Sequence, residues 1–373
     1  MREYDLIVVG SGPAGSSAAL VAAKLGLKVL IMDKARHPRV KPCGGGLTPK
    51  TMQLLDWLGV SVDDLILGEC STVYVSNYAG TFALRSKEPL ISVTRREELD
   101  KRLFDEATAR GAEYENREVV KVINGRGGAE VMTRDGHAYS SKIVIGADGA
   151  PSRVAASLGL INEGSAAAVM SIARGPADLP CLLDFTAVRF GYAWIFPQSD
   201  GYYDVGLGSI VKQRYGSRLG EYAAGWGLEA GKMLGHLIPY KSLRPVVGRV
   251  MLAGDALGVA DPTTGEGIFQ SMYTGIAAAY AAYLAVRNGG VIYERLIGNL
   301  LRNNELASRV SLFVYGLDTQ FFSRFLGATG YASGDVKDLL VRLISGRAWY
   351  GDVTKFMAAK MPKYAVKGLM KLG

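Results

Sequence analysis

Tyr4-Asp-Leu-Ile-Val-Val-Gly10-Ser-Gly12-Pro13-Ala14-Gly15 is the stretch on which the fold turns. Tyr4 to Gly10 is a short, nearly continuous apolar run, the pattern of a buried strand. The small-residue segment after it, through Ala18, Ala19, Ala22 and Ala23, predicts a helix. Lys28 to Met32 predicts a second strand, ending at Asp33. Strand, glycine turn, helix and acidic strand end make a βαβ unit of the kind that binds a dinucleotide. Gly10 permits the tight turn, Gly12 lets backbone approach a phosphate, and Gly15 lets the helix close on the strand. The helix N-terminus, at Pro13 and Ala14, offers unpaired N–H groups and partial positive charge to a pyrophosphate. Asp33 is placed to accept hydrogen bonds from the adenosine ribose, with Lys34 beside it in the same site.

Composition narrows the rest. The 373 residues are 49% hydrophobic and 21% charged, which excludes a disordered chain, and 47 glycines suit close backbone approach. The three cysteines, Cys43, Cys70 and Cys181, form no Cys-x-x-Cys or zinc pattern, and an ordinary iron–sulfur cluster needs four thiolates. His37, His137 and His236 are equally scattered, so no metal is expected. No apolar run reaches the roughly 18 residues of a spanning helix; the longest, Gly275 to Val286, predicts a buried helix. The first strand begins almost at Met1, so no signal peptide is expected and the chain is assigned to the cytoplasm. The net charge of +8 suits nucleic acid, an anionic cofactor or a membrane surface. On a C-terminal helix, Lys360, Lys363, Lys367 and Lys371 share one face, opposite Met361, Ala365, Leu369 and Leu372. That face suits peripheral contact with an anionic membrane. The ordinary alternative is a helix docked on the core with its lysines solvated. No nucleic-acid partner is assigned.

Three later segments resemble the para-hydroxybenzoate hydroxylase-like flavoproteins. Ile143 to Val154 carries Ala147-Asp148-Gly149, similar to that group's Asp-Gly motif. Arg249 to Ala256 carries Gly254-Asp255, similar to its Gly-Asp motif. Asp261-Pro262-Thr-Thr-Gly265-Glu-Gly267 opens a long helix at Ile268. The resemblance implies FAD as cofactor, Asp255 as the ribityl ligand, and a helix N-terminus beside the flavin pyrimidine. It also implies that Arg96 approaches the FAD, although its neighbour Arg95 is an alternative counterpart.

Two more segments narrow the family. Lys41-Pro-Cys43-Gly44-Gly45-Gly-Leu47, and Tyr192-Ala-Trp194-Ile-Phe196-Pro197 followed by Asp204-Val-Gly-Leu-Gly208, resemble the geranylgeranyl reductase family, including its archaeal digeranylgeranylglycerophospholipid reductases. The resemblance reaches to about Val286. It departs at Arg189, where the family often has proline, and after Val286, where no motif aligns. It implies an FAD-dependent oxidoreductase that saturates C=C bonds of geranylgeranyl chains on lipid precursors by hydride transfer from reduced flavin. Tyr192, Trp194 and Phe196 alternate along a predicted strand and share one face. They and Pro197 would wall an isoprenoid pocket, or else fill the core. Cys43, with Gly44 and Gly45 in a glycine-rich loop that would contact the cofactor near its isoalloxazine ring, would donate a proton, shape the pocket or sense redox state. Its alternative is a small buried residue.

The fold expected is α/β: a Rossmann-type FAD-binding domain (1–73, 90–160 and 243–286), an antiparallel-sheet substrate domain (74–89 and 161–242) and a C-terminal helical region (287–373). An aromatic hydroxylase, or an electron-transfer flavoprotein docking to a membrane quinone or a protein, remains as the alternative function. The electron donor, NAD(P)H or ferredoxin, is left open.

Overall fold

The opening stretch folds as β1 (Glu3–Val9), α1 (Pro13–Lys24) and β2 (Val29–Met32), with β1 and β2 paired in parallel. The structure is a computed structural model that describes residues 3–212, 214–290, 292–316 and 333–360. There follow β3 (Gly46–Leu47), α2 (Pro49–Leu58), β4 (Ile66–Cys70), β5 (Thr72–Asn77), β6 (Gly80–Arg85) and β7 (Ile91–Thr94). Helix α3 (Arg96–Ala109) leads into β8 (Glu113–Glu115), β9 (Val119–Asn124), β10 (Ala129–Thr133), β11 (Ala138–Gly146) and the short α4 (Arg153–Ser157). The middle of the chain holds β12 (Ser165–Arg174), β13 (Leu182–Asp184), β14 (Gly191–Pro197), β15 (Tyr202–Ser209), α5 (Tyr215–Gly225), β16 (Glu229–Ala230) and β17 (Leu234–Pro239). Last come β18 (Val246–Val247), β19 (Val250–Leu252), α6 (Ile268–Asn288), α7 (Tyr293–Gly316), α8 (Gly334–Ile344) and helical residues 350–360.

β1 sits inside an eight-stranded sheet of order β18-β19-β11-β1-β2-β8, with β10 and β9 attached to β11. The run β19-β11-β1-β2-β8 is parallel, and β10 and β9 extend from β11 in antiparallel fashion, with the chain turning after Asn124. Parallel strands are covered on both faces and so read as unbroken apolar runs. Leu6, Ile7, Val8, Val144 and Ile145 are fully buried. Each such side chain contributes about 1.5–3 kcal/mol. Alanine and glycine dominate the covering helices because α1 and α6 nearly touch: a Cβ on Gly275 would lie 2.1 Å from the Ala14 carbonyl oxygen.

A second eight-stranded sheet runs β16-β12-β15-β14-β13-β5-β6, with β17 also on β12. It is antiparallel except where β13 meets β5. A three-stranded sheet, β3-β7-β4, holds the chain that leaves the Cys43 loop. The sequence pattern did not separate this small sheet, because β3 is only two residues long. No described helix is long and apolar enough to cross a membrane. Of the C-terminal lysines, Lys360 pairs with Asp335 at 3.0 Å. Lys363, Lys367 and Lys371 lie outside the described residues.

Candidate cofactor and substrate site

Two glycines of the turn, Gly10 and Gly15, are confined by close packing. Gly10 has φ +101°, and a Cβ there would lie 2.3 Å from the Ala147 carbonyl oxygen. Gly15 is equally confined, its Cβ position 1.9 Å from the Gly10 carbonyl oxygen. Gly12 differs: its φ is −75°, and a Cβ would meet only the Arg39 guanidinium, at 3.5 Å. Gly12 is thus free for packing reasons and open toward a ligand. The first backward helix bond in α1 runs from Ser16 N to Gly12 O, and the amides before it point out of the helix end.

Asp33 is more occupied than its sequence reading implies. Its Oδ2 accepts from Ser11 N at 2.8 Å and Ser11 Oγ at 2.7 Å, and its Oδ1 accepts from Ala35 N at 2.9 Å. A carboxylate oxygen has room for about two such bonds. Oδ1 therefore has one position for a ribose hydroxyl, while Oδ2 fixes the glycine turn. Lys34 stands exposed beside it. Asp148 is also engaged: Ser152 Oγ (2.6 Å), Arg153 N (2.7 Å) and Val154 N (3.2 Å) all donate to it. Its carboxylate caps α4 and shapes the turn at Gly149. Gly149 has φ +77° and open space over its Cβ position.

Asp255, just after β19, is flanked by Lys41 Nζ at 3.6 Å and His236 Nε2 at 4.0 Å. Gly254 (φ +60°) packs its backbone on Ala14 and Ser271, and Gly267 faces Asp255. Arg96 is buried and grips Asp100 through two bonds, Nε to Oδ1 at 2.9 Å and Nη2 to Oδ2 at 3.1 Å. Burial opposes its charge, but Asp100 and then Cys43, to which it also hydrogen-bonds, raise its pKa further than burial lowers it. Arg95 is exposed. Arg39 Nη2 lies 3.9 Å from Asp33 and 3.7 Å from Asp100. Sequence reasoning missed Arg39 and His236, which carry no motif, and gave no role to Lys41, the first residue of the Cys43 segment.

These residues fit a dinucleotide. His236 Nε2, Arg39 Nε, His37 Nδ1 and Thr94 Oγ1 are buried with no hydrogen-bond partner. Buried polar atoms are nearly always paired, so orphans beside Ser11, Gly12, Gly45 and Asp255 suit a polar ligand there. Burial, then the nearby Lys41 charge, hold the His236 pKa low, and burial followed by Arg39 does the same for His37.

The three glycines after Cys43 each have a physical cause. A Cβ on Gly44 would lie 2.8 Å from Trp194 Nε1, and one on Gly45 (φ +65°) 2.0 Å from the Thr94 carbonyl oxygen. One on Gly46 would press Ile91 and Phe196. On the other side, a Cβ on Gly206 would overlap the Trp194 ring at 2.1 Å. The indole is sandwiched between two glycines and carries the Cys43 loop. Cys43 Sγ accepts from Gly45 N at 3.4 Å.

Register puts Tyr192, Trp194 and Phe196 opposite Gly208, Gly206 and Asp204 on β15, and these opposite Ala168, Met170 and Ile172 on β12. β17 adds Leu234 and His236 on the same face. The result is a palm with a floor of small residues and an aromatic side. The aromatic rings run in series, 6.0 Å from Tyr192 to Trp194 and 6.4 Å on to Phe196. Two cavities open on the palm. One, of about 340 Å³, is lined by Cys43, Lys41, Arg96, Met170, Asp204 and Leu234 among others. The other, about 40 Å³, lies between Ala168, Tyr192, Trp194, Tyr240, Pro262 and Tyr315. Tyr192 and Trp194 border cavity space. Phe196 and Pro197 border neither cavity and instead support the loops behind them.

The 261–267 loop is held rigidly. Asp261 Oδ1 accepts from Thr263 N (2.8 Å), Thr264 N (2.9 Å) and Tyr350 Oη (3.0 Å). Tyr192 donates to the Thr264 carbonyl, and Tyr315 donates to that of Thr263 at 2.7 Å. Gly265 (φ +68°) lies under the Tyr192 hydroxyl, and Ile268 starts α6. Glu266 is tied to Thr48 Oγ1 at 2.6 Å and to Lys50 Nζ at 2.5 Å. The helices after Val286, which matched no motif, therefore anchor the loop that leads into the start of α6. Among the described residues there is no cluster that would hold a metal ion.

Comparison with known proteins agrees with this geometry. Residues 3–215 match the family model described as FAD binding domain. A menaquinone reductase of Mycobacterium tuberculosis is 30% identical over 91% of this chain and 90% of its own length. A geranylgeranyl diphosphate reductase of Rhodobacter capsulatus is 30% identical over 77% of each chain. The crystal structure of a geranylgeranyl bacteriochlorophyll reductase-like protein from Thermoplasma acidophilum has the same fold. It superposes with a TM-score of 0.81 at 23% identity, over 96% of this chain and 99% of that one.

Proposed function

The chain belongs to the FAD-binding-domain flavoproteins, in the geranylgeranyl reductase family, and as an FAD-dependent oxidoreductase of that family we propose that it saturates C=C bonds of an isoprenoid chain carried on a lipid precursor. The observation that carries this reading is the palm. Its floor of Ala168 and Gly208 beside Tyr192 and Trp194 offers an apolar, narrow surface that suits a polyprenyl chain better than a bulky ring. Menaquinone and geranylgeranyl diphosphate, which name two relatives, share such a chain.

Reduced FAD supplies a hydride. The chain's own residues do the rest. The outward amides of α1 and the Arg39 guanidinium are the groups that would hold the pyrophosphate, with Gly12 leaving room for it. Asp33 Oδ1 would take one ribose hydroxyl, and Asp255 the ribityl chain. His236 and Thr94 would find in the cofactor the partners they lack. The amide end of α6, fixed by Asp261 and Glu266, favours negative charge beside it. An isolated alkene is a poor hydride acceptor, so exclusion of water and fixed geometry matter most. The aromatic side and the Trp194-borne Cys43 loop serve both. Lipid-surface contact through the basic C-terminal segment belongs to the same proposal.

The test is to incubate the FAD-loaded protein, chemically reduced without oxygen, with a geranylgeranyl lipid and with simple phenols. Mass spectrometry should find the lipid gaining two hydrogens per bond and the phenols unchanged. Oxygen-dependent hydroxylation of a phenol instead would overturn the proposal. Cys43→Ala should slow the reduction while FAD stays bound; unchanged turnover would remove Cys43 from the chemistry.

A further inference from the structure

Asp204 lies on the palm and has no part in the reading above. It is 2% exposed, on β15 between Ile172 and Phe196 of the flanking strands. Its Oδ1 accepts from Trp194 Nε1 at 2.7 Å, and the side chain also lines the 340 Å³ cavity. Oδ2 is therefore the oxygen left to the cavity. The charged and titratable groups that share its lining are Lys41, Cys43, Arg95, Arg96, Glu97 and Lys232. Lys41 is paired with Asp255 and Arg96 with Asp100. Among the described residues, no cation stands within ion-pair distance of Asp204. A buried carboxyl with one neutral hydrogen-bond donor and no counter-charge keeps its proton. Burial pushes the pKa up to about 8, against a smaller pull from the indole N–H.

We propose that Asp204 is the acid that supplies the proton in the alkene reduction, acting from the cavity wall it shares with Cys43. The proposal rests on the prenyl-reductase reading and names a residue that reading left unassigned. Cys43 suits the role less well. It accepts hydrogen bonds from Gly45 N and from Arg96, a group that can only donate. Glu97 lies on α3, off the palm, and is less buried than Asp204. Lys41 is paired with Asp255 and Lys232 is exposed, so Asp204 is the buried, unpaired acid of this wall.

The step balances. One alkene carbon takes the hydride, with its electron pair, from the reduced flavin. The π electrons form the second C–H bond with the proton from Asp204, whose O–H bond breaks. The alkene gains two electrons, the flavin loses two, and Asp204 is left a carboxylate. Water entering the cavity returns its proton, and a two-electron donor of the reduced-nicotinamide class restores the flavin. A water occupies about 30 Å³ of liquid, so the cavity has room for it beside a chain segment.

The experiment compares the FAD-loaded wild type with Asp204→Asn, which keeps an acceptor for Trp194, and with Asp204→Glu. The first readout is the infrared band of a protonated carboxyl at neutral pH, expected in the wild type and absent from Asp204→Asn. The second is anaerobic single-turnover flavin reoxidation by a geranylgeranyl glyceryl ether. In the wild type the rate should fall above about pH 8 and show a solvent deuterium effect. Asp204→Asn should lower it by roughly 10²–10⁴-fold, abolish the alkaline limb and leave FAD binding unchanged, with partial recovery in Asp204→Glu. A wild-type rate that stays flat with pH, or an Asp204→Asn rate equal to wild type, would overturn the proposal with the prenyl-reductase reading intact. A wild-type flavin that ignores the lipid would overturn both.

Discussion

Gly12→Ala separates two reasons for glycine that the sequence presents together. The backbone there is extended, with φ −75° and ψ −173°, a conformation open to any residue. The new methyl would meet only Arg39 Nη2, at an ordinary 3.5 Å. Without cofactor, two small effects oppose each other: alanine is a poorer N-cap than glycine by a few tenths to about 1 kcal/mol, and it restrains the unfolded chain by about 0.4–1 kcal/mol. The apoprotein should therefore melt within about 0.5 kcal/mol of wild type. With FAD, the methyl occupies the space through which a phosphate reaches the α1 amides. Displacing two charge-assisted bonds at about 1.5–3 kcal/mol each removes about 3–6 kcal/mol, a 10²–10⁴-fold loss of affinity. Gly15→Ala is the contrast. Its Cβ would sit 1.9 Å from the Gly10 carbonyl oxygen, so α1 must retreat and stability falls with binding. Calorimetric titration of apoprotein with FAD, beside thermal melts of both variants, decides it. Wild-type FAD affinity in Gly12→Ala would refute the phosphate-approach argument.

Other consequences follow from the same structure. Asp204 has a folded-state pKa raised above its unfolded value, so the stability it confers is complete below about pH 4 and is lost as pH rises toward 8. Relative to Asp204→Asn, the wild type should lose up to about 1.4 kcal/mol per pH unit across that window; parallel stability–pH curves would contradict a buried acid. Asp148→Ala removes the bonds from Ser152, Arg153 and Val154 and should cost about 1–3 kcal/mol in denaturant unfolding. An unchanged midpoint would show that α4 needs no cap from Asp148. Gly206→Ala must displace the Trp194 ring and with it the Cys43 loop, so tryptophan fluorescence and turnover should change together while FAD affinity holds.

Local patterns carried the sequence reading furthest. β1, α1 and β2 were legible because their signals, an apolar run, three glycines and an acidic end, lie within 30 residues and act on their immediate neighbours. The palm was half legible: alternation put Tyr192, Trp194 and Phe196 on one face, but only the fold reveals that Trp194 is clamped by Gly44 and Gly206. Arg39 and His236 gave no signal, since a lone basic residue has no pattern until folding brings it to Asp33 or Asp255, and Lys41, though it opens a motif, shows its pairing with Asp255 only in the fold. The tie from Thr48 to Glu266 spans 218 positions and is invisible for the same reason. Asp148 shows a second use that the motif did not announce: its carboxylate holds the start of α4. Asp204 did leave a trace. A charged residue alternating with Gly206 and Gly208 on a buried strand face is expensive unless it has a purpose.

The most direct test of the account is anaerobic mixing of the reduced, FAD-loaded protein with a geranylgeranyl lipid, following the oxidised-flavin absorbance and the lipid mass together. If the palm holds a prenyl alkene at the flavin, the absorbance returns in step with lipid that has gained two hydrogens per reduced bond. A flavin that stays reduced until oxygen is admitted, with the lipid unchanged, would contradict it.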